Sequence, residues 1–413
     1  MWDAPTFRLD PPRLRTVADP GEERHVTWFE LYFDLVFVVA VGELAAALAR
    51  EPTAAVFARF LGLFVVVAWA WSGYTFYANR FDTDDLVYRL AKSGAMLAIA
   101  AVAINVHLVM KGQGGTVGFA VGYVVVRSLL ISLYIRARLH VRGPGRTLIN
   151  TYITGFSLTT GLWLVSIFLP EPYRVLLWGI AIGIDLTIPP RAWQSLASAP
   201  IVVSHLTERF GTFFIIVLGA AVAGVVAGVA DFELSFASWA VAGACFVIAL
   251  ILWWIYFDLA DTSVVGRGAL GLVYTYGHFP LLAGIAAFGA GTKLAIRGAA
   301  DPGLTAGARW ALAGGIAAFA LSLSVFHLGA EWTSLRDRTL LGRLLLSAAA
   351  IALAAVGAAL TPLEFVSLLL AAGLAQLLLE ASTVSEGAAS VWEPPQATGE
   401  DREGSNHQKS GQR

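Results

Sequence analysis

From His25 to Glu43 the chain reads H-V-T-W-F-E-L-Y-F-D-L-V-F-V-V-A-V-G-E, and from His205 to Ala220 it reads H-L-T-E-R-F-G-T-F-F-I-I-V-L-G-A. Each stretch opens on histidine, an aliphatic residue and threonine, and places an acid in its first turns. Each then runs through aromatic and β-branched residues to a late glycine. A second pair follows in the same order, F-D-T-D-D at Phe81–Asp85 and F-D-L-A-D at Phe257–Asp261. The second pair is offset by 176 residues and the first by 177 to 180, allowing a short gap. Two matches in order at nearly one spacing mark an internal repeat.

The apolar character of these runs extends along the whole chain. Of its 413 residues 57 % are hydrophobic and only 14 % charged, and mean hydropathy is +0.69, which suits lipid rather than water as the solvent. Stretches long enough to cross a bilayer core, at about 20 apolar residues each, fall near 28–48, 56–77, 91–110, 116–137, 148–169, 173–189, 206–228, 236–257, 269–291, 308–329, 340–360 and 363–381. The fold expected is all-α, a polytopic transmembrane helix bundle of about twelve spans. The sixth segment is short and ends at Pro189-Pro190, and Thr361-Pro362 alone parts the last two, so ten or eleven spans stay open. Six segments separate the repeated motifs. The halves, 28–190 and 206–384 with a linker at 191–205, would then be two parallel six-helix repeats about an axis along the membrane normal, as in several transporter folds.

Residues 1–27 hold four arginines and four prolines and no apolar core, so they read as a cytoplasmic segment rather than a signal peptide or a span. The tail at 385–413, rich in Glu, Gly, Ser and Gln, is expected to be disordered and cytoplasmic. Arg80, Arg89, Lys92, Arg136, Arg138, Arg142, Arg146, Arg191, Arg336, Arg338 and Arg343 gather on the face that holds the N-terminus, which places both termini in the cytoplasm and the protein in the cell membrane. A net charge of −1 with no basic run gives no reason to expect a nucleic-acid partner. The single cysteine, Cys245, excludes an internal disulfide and any cysteine-based zinc site. Lysine occurs only at 92, 111, 293 and 409, away from the expected helix centres, which counts against a retinal Schiff base.

W-F-E-L-Y-F-D-L-V-F-V-V-A-V from Trp28, R-F-D-T-D-D from Arg80, H-L-T-E-R-F-G-T-F-F-I-I-V-L-G from His205 and Y-T-Y-G-H-F-P-L-L-A-G-I from Tyr274 together resemble the bacterial low temperature requirement protein A family, over roughly residues 24–380. The resemblance implies a polytopic membrane protein linked by name to growth in the cold, and carries over no settled activity. In the family the third motif usually continues L-G-E, whereas Ala220 follows Gly219 here and Glu43 keeps the acid in the first half. If that second acid serves ion coupling in relatives, this chain lacks it or uses one half only.

Ionisable groups within spans are the candidate site residues, because a charge at a helix centre costs about 2.5 to 3.5 kcal/mol on the insertion scale. Glu30 and Asp34, four apart, share one face of the first helix, whereas Glu43 lies about 20 Å further along and on nearly the opposite face. Arg127 sits eleven residues into the fourth segment, and its predicted partner is Asp34 or Glu30, with Asp185 as the lesser choice. The pair would be either a structural lock or part of a transport path. His278 stands close to mid-membrane beside Pro280, which removes a backbone donor and frees the Tyr276 carbonyl. It would be a proton relay or a neutral histidine bonded to a carbonyl, with Tyr274 and Tyr276 as partners. His205 and Glu208, at i and i+3, have metal-ligand spacing, yet the helix start favours a structural role for them, and His327 with Glu331 reads likewise as an interfacial pair. The acids of the two F-D-x-x-D motifs are expected as solvated loop acids paired with Arg80, Arg89 or Arg267. Gly118-x-x-x-Gly122 and Gly224-x-x-x-Gly228 are packing spacings.

No nucleophile–base pair, zinc constellation, phosphate loop or haem-type histidine pair stands out, so neither an enzyme nor a cofactor is expected. A secondary transporter or ion-coupled permease leads, acting on an ion or small solute that the residues do not name. An ion channel comes next, and a membrane-embedded enzyme or structural factor last. The lipid bilayer is the one partner these residues specify.

Overall fold

The computed structural model of the chain describes residues 9–15, 25–143, 145–192, 202–230, 235–259, 270–329 and 337–391. Side-chain caps set where helices begin. Thr27 accepts from the Glu30 amide while the Glu30 carboxylate takes the Thr27 amide, a capping box that opens α1 (Trp28–Arg50). Thr53 caps α2 (Ala54–Arg80), and Asp85 caps α3 (Leu86–Lys111), which ends at a left-handed Gly112. There follow α4 (Thr116–His140), α5 (Gly145–Ser166), α6 (Tyr173–Arg191), α7 (Val203–Ala230), α8 (Phe236–Trp254), α9 (Leu270–Arg297), α10 (Ala306–Gly329), α11 (Arg338–Val356) and α12 (Pro362–Val391). A π-turn at Ile255–Leu259 extends α8, and a two-residue strand, Arg13–Leu14, pairs antiparallel with Phe81–Asp82.

The protein is all-helical. Ten of the helices among the described residues are long and apolar enough to cross a bilayer, and α5 and α6 are not in that set. Their composition explains this: α5 carries Arg146, Asn150 and seven serine and threonine side chains, and α6 carries Arg174, Asp185 and Arg191. The twelve expected spans are thus present as helices, of which ten qualify as spans by length and composition. α12 continues to Val391, past the boundary placed at 384, and residues 392–413 of the expected tail lie outside the described residues. Large apolar side chains such as Leu97, Ile104, Leu158, Phe168, Leu345 and Leu378 point outward all round the bundle. An exterior as apolar as the interior needs lipid around it.

α9 is the centre of the bundle. Its spanning stretch is 83 % buried, against 28 % for α12, and it packs on α1, α7, α8 and α10. Glycine makes the closest of these contacts possible: a Cβ on Gly284 would stand 2.6 Å from the Gly315 carbonyl oxygen of α10. In chain order α1 lies on α3, α3 on α4, α4 on α5 and α5 on α6, while α7 lies on α9, α9 on α10, α10 on α11 and α11 on α12. One neighbour relation that differs bears on the site. α8 lies against α12, but α2 and α6 stand apart across an open cleft.

Candidate functional site

Four groups of buried polar side chains are held by these helices. The first joins α1, α2, α3 and α7 near the face that holds residue 25. Asp34 Oδ1 accepts from the Trp71 indole at 2.7 Å and from Arg209 Nη2 at 2.6 Å, and Arg209 is fully buried. One turn earlier on α1, Glu30 lies 3.5 Å from His205 Nε2, and Asn79 contacts the other ring nitrogen at 3.3 Å. Asn79 also exchanges two hydrogen bonds with the Val202 backbone, which fixes the entry to α7. Lys92 is buried too, its ammonium 4.4 Å above the Phe33 ring and 5.2 Å from that of Tyr88. The carboxylates of Glu30 and Asp34 balance the cations of Lys92 and Arg209. Chemically the group is a lock between α1 and α7, charge-balanced as a buried set must be.

The second group lies deeper, where α4, α5 and α6 meet α2. Arg127 Nη2 donates to Asp185 Oδ1 at 2.8 Å, and Thr159 donates to the same oxygen at 2.8 Å. The Phe156 ring lies 4.2 Å below the guanidinium. Gly73 on α2 leaves the space: a Cβ there would stand 2.7 Å from Leu130 and 3.8 Å from Arg127 Nη1. Arg127 therefore pairs with Asp185, the lesser choice from the sequence, and not with the favoured Asp34 or Glu30; Asp34 is taken by Arg209. Among the described residues Arg127 Nη1 and Asp185 Oδ2 have no well-formed hydrogen bond, with the Trp69 indole near the carboxylate.

This pair divides two hollows. On the side away from residue 25, a cleft of about 650 Å³ lies between Ala58, Gly62 and Val66 of α2 and Val175, Gly179 and Ile182 of α6, with Arg59, Thr116 and Glu171 at its rim. On the other side a cavity of about 40 Å³ is bounded by Trp69, Gly73, Phe76 and Arg80 of α2, with Tyr134, Tyr152, Phe156, Pro189 and Tyr276 around them. Gly62, Val66, Trp69, Gly73, Phe76 and Arg80 recur at helical spacing, so one face of α2 runs the length of both hollows. Ile182, Asp185 and Pro189 make the matching face of α6.

His278 has a different environment. Its Nδ1 donates to the Tyr274 carbonyl at 2.7 Å, and its Nε2 lies at hydrogen-bond distance, 2.8 Å, from the Tyr256 hydroxyl. The rings of Phe210, Tyr274 and Phe326 enclose it. The Tyr274 contact is through its backbone, and Tyr276 instead donates to the Leu186 carbonyl of α6. Bonded at both ring nitrogens, the imidazole joins the π-turn to α9.

The fourth group was not singled out from the sequence. Arg343 makes a bidentate pair with Glu380 at 2.8 and 2.6 Å, Gln376 donates to the same carboxylate at 2.7 Å, and the third guanidinium nitrogen reaches the Leu323 carbonyl. Fully satisfied, it clamps α10, α11 and α12 together.

Several other residues separate from these groups. Glu208 turns outward from His205, accepts from the Val26 amide at 3.1 Å and lies 3.7 Å from His25, so the two do not converge on a metal. Among the described residues no cluster of three or more His, Cys, Asp or Glu is placed to hold one. Glu43 is half-buried with no polar contact among the described residues, and Ala220 lines a separate cavity of about 180 Å³ with Gly42 and Lys293. Asp85, expected as a solvated loop acid, is buried: it caps α3 and accepts from Arg136 at 2.9 and 2.7 Å, while Asp84 does pair with Arg89 in the open. Burial opposes the Asp85 charge, but the Arg136 hydrogen bonds, the Tyr88 amide and the guanidinium charge outweigh it and hold the carboxyl below its usual range. His327 pairs with Asp337 at 3.1 Å; Glu331 and Arg267 lie outside the described residues.

Comparison with known proteins adds two findings. Residues 25–378 match the family model described as bacterial low temperature requirement A protein. A curated protein of Rhizobium meliloti (strain 1021), itself described as uncharacterized, is 28 % identical over 278 residues, which cover 62 % of this chain and 66 %, just under two thirds, of that protein.

Proposed function

The chain belongs to the bacterial low temperature requirement A protein family, and from that premise we propose that this multi-pass membrane protein is a secondary transporter or ion-coupled permease. The observation that carries the reading is the continuous face of α2, with a cleft of about 650 Å³ at one end, an aromatic cavity of about 40 Å³ at the other and the Arg127–Asp185 pair between them. A buried ion pair with an unused donor and an unused acceptor suits exchange. A proton or cation arriving at Asp185 would release the Arg127 fork to an anionic group, and its departure would restore the pair. Thr159 holds the carboxylate in place throughout. The two halves are read as parallel six-helix repeats, supported by the repeated motifs and by the matching neighbour order from α3 to α6 and from α9 to α12. The open α2–α6 cleft, where α8 and α12 are in contact, would then be the place where the repeats have diverged in conformation. The arginine-rich face of residue 25 is assigned to the cytoplasm of the cell, and both termini with it.

Proteoliposome flux with a panel of ions and small solutes tests this. Saturable uptake is expected, reduced at least tenfold by Arg127→Gln and by Asp185→Asn, while His278→Gln keeps it within a few-fold. Uptake that rises without saturation would make the protein a channel. No flux across a broad panel, or unchanged flux in both pair variants, would remove the reading.

A further inference from the structure

Arg80 ends α2 at the inner edge of the aromatic cavity, and only 4 % of it is exposed. Its Nη1 donates to the Tyr152 hydroxyl at 3.2 Å, the Tyr134 hydroxyl also takes a hydrogen bond from it, and Nε has no partner among the described residues. The guanidinium lies 5.4 Å from the ring centres of both Phe76 and Tyr152. No carboxylate among the described residues comes within ion-pair distance of it. The acids of the adjoining helices are already taken, Asp85 by Arg136 and Asp185 by Arg127. A buried guanidinium without a counter-ion is costly, and ring faces offset only part of that cost. The cavity beside it, about 40 Å³, exceeds what one water needs and is far too small for a sugar or a nucleotide.

We propose that this cavity is a binding site for a small monovalent anion, of chloride or nitrate size, with Arg80 as its charge partner and the Tyr152 hydroxyl beside it. The anion supplies the missing counter-charge and fills the unused donors. As an assignment of cargo the inference rests on the transport reading above; as a binding site it does not.

The test measures thermal unfolding of the purified full-length protein in detergent, in sodium chloride or sodium gluconate at equal ionic strength. Gluconate is too large for the cavity. Wild type should gain stability saturably with chloride. Arg80→Gln should lose that dependence and, in gluconate, unfold no lower than wild type, because the uncompensated charge is gone. A merely structural arginine would make the variant weaker in both salts. Equal wild-type midpoints in the two salts, or a chloride dependence that survives in Arg80→Gln, would overturn the site. Should that variant fail to fold, wild-type crystals grown in bromide decide: anomalous density at the Arg80 guanidinium supports the site and its absence rejects it. Chloride flux in proteoliposomes separates the two claims. Binding at Arg80 without anion flux would keep the site and remove anions as cargo, whereas flux of some other solute without binding would keep the carrier and remove the site.

Discussion

A charge buried in this bundle survives only with a partner, and partners were harder to foresee than charges. Arg127 was legible because eleven residues into an apolar run it had nowhere to go. Its partner was not, since Asp34 and Asp185 are equally buried acids and only packing decides which one faces α4. Arg209 passed unremarked inside a repeated motif, and Lys92, read as an end-of-helix charge, lies seven residues into a helix that begins earlier than its apolar run. Arg343 was read only as one of the arginines on the face of residue 25; Gln376 and Glu380 at i and i+4 on an apolar helix were the available signal for its partner. At the membrane edge Asp85 makes a pH-dependent prediction. Its carboxyl is held below the unfolded value of about 3.9, so its contribution is present above that pH and is lost as pH falls through the lower folded value. Unfolding midpoints from pH 6 down to pH 3 should fall less steeply in Asp85→Asn than in wild type; identical slopes would mean that the Arg136 contact adds no stability.

At the scale of the helix, hydropathy was enough to locate all twelve elements, because each must present about 20 apolar residues to lipid or to its neighbours, but not every end: α3 begins before its apolar run, and α9 and α12 continue past theirs to Arg297 and Val391. Their inner faces were less legible. Side chains are apolar on both sides of a membrane helix, so the periodic contrast that marks a buried stripe in water is missing. The small residues of α9 and α10 are the exception, where backbone approaches backbone. Gly284→Val should therefore part α9 from α10 and destabilise the protein by about 1 to 3 kcal/mol, the usual cost of overpacking. The same change at Gly42, where no atom lies within 4 Å of an added Cβ, should be nearly silent. Comparable losses at both positions, read from denaturant midpoints in detergent, would show that the α9–α10 approach is not the tight contact described.

The whole molecule is a lipid-solvated bundle in which α1 packs on α7 and α9 and is tied to α7 by Asp34 and Arg209. The α2–α6 cleft belongs to this scale, since two helices create it by standing apart, and no stretch of sequence records a separation. Our central claim is that the face of α2 is a route open at one end at a time. Thiol labelling tests it most directly, with single cysteines at Gly62→Cys and Phe76→Cys in a Cys245→Ser background and a membrane-impermeant reagent applied from either side. Position 62 should react from outside only, and position 76 should be protected from outside and gain reactivity only from the cytoplasmic side. Reaction of both positions from one side at once would mean a continuous pore, and reaction of neither from either side would mean dry packing; each result contradicts the account.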